Sequence, residues 1–151
     1  NKSSAILVTG FMAGLLDGLA AITSYVIKTR KDPAMVFKFV ASGVFGKKAF
    51  AGGTIMIAWG ILFHFIIAFL FTILFFWIYL KIKWIGENKI IAGLLYGIIV
   101  WVIMSYLVVP LSKTPPQPFQ LKNAITGMLI LMCFIGLPIS LMANKHYLYK
   151  K

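Results

Sequence analysis

Asp17 stands in "AGLLDGLAA", residues 13–21, near the middle of an otherwise apolar run from Ala5 to Ile27. In a hydrocarbon setting a carboxylate costs a few kcal/mol or more unless it is paired or neutral. Ionisable groups at that depth mark proton relays and substrate paths. A second titratable group matches it. His64 lies in "LFHFIIA", inside the next apolar run from Ala49 to Leu80. Asp17 is ten residues before the end of the first run, and His64 is ten after Thr54, where the second helix is expected to start. On antiparallel helices rising 1.5 Å per residue, both then lie about 15 Å from the same end.

The residues around them say which faces meet. Gly10, Gly14 and Gly18 recur every four positions, a stripe that lets helix backbones approach closely where packing replaces the hydrophobic effect. Asp17 sits beside that stripe. Gly60, His64, Ala68 and Thr72 form a second small or polar stripe with the same spacing. The spacing predicts an Asp17–His64 contact, directly or through one water. Two readings of the pair stay open: a proton relay or substrate path, and a buried lock that holds two helices together. In "GLLYG", Gly93 and Gly97 offer a third close-packing face, with Tyr96 able to turn a hydroxyl inward or to serve as an interfacial aromatic. Pro138 in "FIGLPISL" should kink its helix and free a carbonyl near Phe134, a hinge or an adaptive bend.

The elements that carry these residues follow from composition. Of 151 residues, 61% are hydrophobic and only 12% charged, about half the charged fraction usual in a water-soluble domain. Mean hydropathy is +0.94. Four apolar stretches are long enough to cross a bilayer: about 5–27, 54–80, 89–109 (ended by Pro110) and 124–143. The expected fold is an all-α integral membrane protein, one four-helix transmembrane bundle over residues 1–151, with both termini on one side. The first run is too long for a signal peptide, carries an acid at its centre and lacks a small-x-small cleavage site, so it reads as a retained helix.

"KDPAMVFKFVASGVFGKK" links the first two spans. Asp32 and Pro33 are helix-start residues, and the mixture of Phe37, Phe39 and Phe45 with Lys38, Lys47 and Lys48 predicts a short interfacial helix over about 33–45. An irregular loop is the alternative. "VVPLSKTPPQPF" carries four prolines and reads as a stiff extended connection. "AGLLDG" in the first span recurs as "AGLLYG" at residues 92–97, which hints at a two-plus-two repeat.

The net charge of +12 does not point to nucleic acid. Its lysines and arginine gather at the ends of apolar runs, where they meet anionic lipid head groups. The N-terminus, second loop and C-tail hold seven basic residues, and the first and third loops hold eight. Assigning Lys38, Lys47 and Lys48 to an interfacial helix tips this near-tie toward cytoplasmic termini.

Familiar chemistry is missing. There is no HExxH, GxSxG or glycine-rich phosphate loop. Asp17, Asp32 and Glu87 are the only acids, and Cys133 the only cysteine, so no metal cluster or disulfide framework is expected. A b-type haem would need a second axial ligand beside His64, for which only a methionine such as Met104 or Met132 is at hand. No cofactor and no catalytic residue are indicated.

Taken in order, "AGLLDGLAA", "ASGVFGKKAFAGG", "LFHFIIA", "VVPLS…PPQPF" and "IGLPISL" resemble a set of small four-span bacterial inner-membrane proteins akin to the YagU-like family. The likeness extends over nearly the whole chain and is greatest at Asp17, Ser42, Gly43, His64, Pro110 and Pro138. It implies the four-span fold and an inner-membrane location, adds Ser42 to Tyr96 as a contributor beside the Asp17–His64 pair, and supplies no reaction or substrate. The functional expectation is proton or small-solute handling. A four-helix chain encloses little space, so transport would call for a homo-oligomer. The alternative is a non-catalytic accessory subunit of a larger membrane complex, with the glycine stripes serving assembly.

Overall fold

The first helix starts at a cap: the Asn1 side chain accepts from the Ser3 amide at 3.1 Å. In the computed structural model, which describes residues 1–148, this helix (α1) runs Lys2–Thr29 and ends on Arg30 in the left-handed conformation. Lys150 and Lys151, counted above among the flanking charges, lie outside the described residues. Asp32 then accepts from the Ala34 amide at 2.9 Å, opening α2 (Ala34–Phe45). Gly46 turns the chain at a φ of 64°, which a residue without Cβ takes up freely. The short α3 (Lys48–Ala51) follows.

α4 (Thr54–Tyr79) returns antiparallel to α1. The short α5 (Lys83–Glu87) leads to α6 (Lys89–Leu111), and the proline-rich connection leads to α7 (Leu121–Leu148). The described chain is all-helical, and α1, α4, α6 and α7 are long and apolar enough to cross a membrane. Their outer faces are apolar too, with Leu7, Phe11, Leu70, Trp77 and Leu107 all exposed.

Both interior prolines are absorbed in the same way. Each follows a single π-helical turn, Met104–Val108 before Pro110 and Met132–Gly136 before Pro138. A proline lacks the amide that its i−4 carbonyl expects, and its ring crowds that carbonyl. A wider turn relieves both problems. α6 therefore passes Pro110 and ends at Leu111, two residues beyond the expected Val109.

Glycines set the helix contacts. Along α1, a Cβ on Gly10 would meet the Phe69 ring, one on Gly14 the Phe65 ring, and one on Gly18 the His64 imidazole. Between α6 and α7 the contact is backbone on backbone: Gly136 rests on the Gly93 carbonyl, and Gly97 on Met132. Gly60 of α4 receives the Phe37 carbonyl of α2 rather than any part of α1. Beneath these contacts lie Phe75, Phe76, Tyr96, Val100 and Ile139. At the end of the bundle near α5, the Asn144 side chain donates to Tyr79 Oη at 2.8 Å and to the Gly86 carbonyl at 3.0 Å.

Candidate functional site

Asp17 and His64 face each other across the α1–α4 contact, with His64 Nε2 3.9 Å from Asp17 Oδ2. Small residues bring them together. Gly14 and Gly18 leave room for the imidazole against the α1 backbone, and His64 Nε2 donates to the Gly14 carbonyl at 2.8 Å. The ring is held on two sides by aromatic edges, Phe65 at 5.6 Å and Phe37 at 6.4 Å between centroids. About one seventh of each side chain stays accessible, 14% for Asp17 and 15% for His64, so the pair is reachable and not sealed.

It is reachable because two cavities meet it. The larger, about 1210 Å³, is a vestibule between the C-terminal half of α1, α2 and the first turns of α7. Gly18, Ala21, Tyr25 and Lys28 line it from α1, at the spacing of a single helix face. The smaller, about 330 Å³, lies on the inner side of the pair between α4 and α6, with Phe71, Val100, Met104 and Leu131 in its walls and the exposed Val44 and Ile66 at its own opening. Asp17, His64, Phe39 and Val40 line both cavities and form the partition between them.

The single chain thus encloses more space than a four-helix count suggests, and α2 is the reason. Its Phe37 reaches Gly60 and His64, six and ten residues into α4, about 9 and 15 Å along the helix. α2 leans into the bundle instead of staying level with the helix ends.

The other sequence-predicted residues fall elsewhere. Ser42 is fully buried on α2 and tied to the end of α6, its Oγ donating to the Phe39 carbonyl and lying 3.3 Å from Thr114 Oγ1. Ser112 completes that cluster at 3.0 Å from the same Thr114 oxygen, and Lys113 N donates to the Gly43 carbonyl beside it at 2.9 Å. Ser112 and Thr114 reach the inner cavity. Tyr96 donates to the Phe71 carbonyl at 2.6 Å, with its ring 4.8 Å from that of Phe75. It lines neither cavity. Pro138 lies next to the α6–α7 glycine contact, and Gly10, Gly60, Gly93 and Gly97 are all buried in helix contacts.

Sequence reasoning missed Phe39 and Val40 as partition residues, Phe37 against Gly60 and His64, Lys28 and Asn123 at the vestibule mouth, and Gly136. Only Gly136 had a usable signal, a glycine two residues before an interior proline. Among the described residues, no three His, Cys, Asp or Glu side chains gather as metal ligands. No family model, curated protein or solved structure matches the chain.

Proposed function

We propose that this chain is a multi-pass integral membrane protein that handles protons or a small solute through Asp17 and His64. The observation that carries the reading is the partition: the two titratable side chains at the middle of the apolar helices stand between a wide vestibule and an inner cavity. A mid-membrane acid and histidine cost too much to keep as bystanders. At 3.9 Å between Asp17 Oδ2 and His64 Nε2, each group lies well within reach of the other's charge.

The apolar outer faces and the basic residues at the helix ends support insertion. α2 lies at the interface on the side of the first and third loops, dipping inward at Phe37. The lysine balance favours cytoplasmic termini, and a bacterial inner membrane rests on the resemblance to YagU-like proteins alone.

The test is proton flux in liposomes under a pH gradient, with wild type set against Asp17→Asn. Flux in wild type and background leak in the variant are expected; equal rates overturn the reading. The accessory-subunit alternative leans on glycine stripes free to bind a partner. Gly10, Gly14, Gly18, Gly60, Gly93 and Gly97 are all buried inside this chain, which favours the transport reading. Native mass spectrometry of gently extracted protein separates the two, since a stoichiometric larger partner would reverse the preference.

A further inference from the structure

The vestibule changes character along its length. At its mouth stand Lys28 of α1, Lys122 and Asn123 of α7, and Gln117 and Gln120 of the proline-rich connection. Lys28 Nζ donates to Asn123 Oδ1 at 3.1 Å, and Asn123 Nδ2 to Gln120 Oε1 at 2.7 Å. This chain of amides clasps α1 to α7 and leaves the Lys28 ammonium two further hydrogens for a ligand. Asp17 is the sole acid in the described vestibule wall, and it lies at the floor. Apart from Asp17 at the floor, the lining residues put no carboxylate beside the two ammonium groups, which makes the mouth complementary to an anion.

Deeper in, the wall turns apolar through Val36, Phe37, Phe39, Val40 and Ile130. The inner cavity beyond is apolar almost throughout. A small hydrophilic anion would match the mouth but leave these walls unmatched. The vestibule alone also exceeds the range of about 300–1,000 Å³ usual for sites of drug-sized molecules.

We propose that the vestibule binds a single-chain amphiphile with an anionic head group. A carboxylate or phosphate head sits on Lys28 and Lys122 with the amides around it, and the hydrocarbon chain runs along Phe39 and Val40 toward the inner cavity. This rests on the vestibule being the approach to Asp17 and His64, and it adds an occupant to that approach.

The test is a binding titration of the full chain in nanodiscs of zwitterionic phosphatidylcholine. The probes are palmitate, 1-palmitoyl lysophosphatidate, hexadecanol and inorganic phosphate. Saturable binding of at least one of the first two is expected, and the tighter of them identifies the head group. Hexadecanol, with a similar chain and no charge, should bind about tenfold or more weakly, and phosphate alone not measurably. Lys28→Gln with Lys122→Gln should weaken the anionic amphiphiles by about tenfold or more. Ala21→Phe should block binding of every chain-bearing probe by filling the vestibule, while its helix content and thermal transition stay those of wild type.

Equal binding of hexadecanol and palmitate, an unchanged double variant, or phosphate binding as tightly as the amphiphiles each overturns the proposal. Binding is read without flux, so the two ideas fail separately. Lost binding with intact wild-type flux removes this inference alone, and absent flux with intact binding removes the relay alone.

Discussion

His64 Nε2 is 2.8 Å from the carbonyl oxygen of Gly14, nearer than the 3.9 Å to Asp17 Oδ2. A carbonyl can only accept, so Nε2 carries a hydrogen, and in the neutral ring Nδ1 is the free acceptor. The imidazole reaches that carbonyl because Gly14 and Gly18 present bare backbone. His64 is thus anchored to the main chain of α1, and no α1 side chain is needed to hold it. Asp17 is the partner with freedom to move.

That asymmetry separates the two residues experimentally. His64→Leu should lower stability by about 1 kcal/mol through loss of the interhelical hydrogen bond and reduce proton flux to background. Asp17→Asn should abolish flux while shifting the thermal transition less, because it removes no direct hydrogen bond seen between the helices. Melting in detergent alongside liposome flux checks both. Wild-type flux in His64→Leu would remove the histidine from the route.

Gly18 tunes the geometry of the pair. A Cβ there would lie 3.2 Å from His64 Nε2, so Gly18→Ala should push the ring by a few tenths of an ångström. We expect a stability change below about 1 kcal/mol but a several-fold fall in flux. Gly14→Ala meets the Phe65 ring at 2.8 Å and the Ala68 Cβ at 3.2 Å instead of the imidazole, so its cost should fall more on the melting temperature than on flux. The ratio of the two flux losses is the measurement, and a larger loss at Gly14 would contradict this assignment.

The closeness of Asp17 and His64 is legible in the sequence because it depends on local regularities: a fixed rise per residue, antiparallel neighbours and small residues every fourth position. The glycines at 10, 14 and 18 announce their face for the same reason. Gly60 shows where such reasoning stops. It belongs to the His64 stripe by spacing, yet it receives the Phe37 carbonyl, because the path of α2 is set by tertiary packing and not by its own periodicity. The cavities were illegible on similar grounds. They arise between segments far apart in the chain, α1, α2 and the start of α7 for one and α2, α4 and α6 for the other, and no single segment encodes such a gap. The π turns lie between these cases: Pro110 and Pro138 signal a disturbance, but whether it becomes a stop, a kink or a wider turn depends on the neighbouring helix.

Backbone-on-backbone contacts should be the least forgiving places in the fold. A Cβ on Gly136 would fall on the Gly93 carbonyl, and one on Gly97 on the Met132 backbone. Neither neighbour can swing aside as a side chain can. Gly136→Ala and Gly97→Ala should each cost about 1–3 kcal/mol or more, read as a lowered melting temperature in detergent. Gly53, with nothing within 4 Å of its added Cβ, is the control and should tolerate alanine. Similar melting of all three variants would mean that α6 and α7 do not pack as described.

Tyr96 tests whether the proposed proton route is confined to the residues that line the cavities. Its hydroxyl donates to the Phe71 carbonyl at 2.6 Å, and Phe71 itself lines the inner cavity. The phenol therefore touches the wall of the inner cavity from behind. In Tyr96→Phe the Phe71 carbonyl keeps its intrahelical amide partner, so only the second acceptor site is vacated and the ring packing on Phe75 is retained. The expected cost is about 0.6–1 kcal/mol, with flux at the wild-type rate. Should flux fall while the melting temperature holds, the hydroxyl would belong to the proton path and the inner cavity would extend to it. Should both fall together, Tyr96 acts by holding α4 against α6, and Phe75→Leu, which disturbs the same contact without touching the hydroxyl, should reproduce the loss.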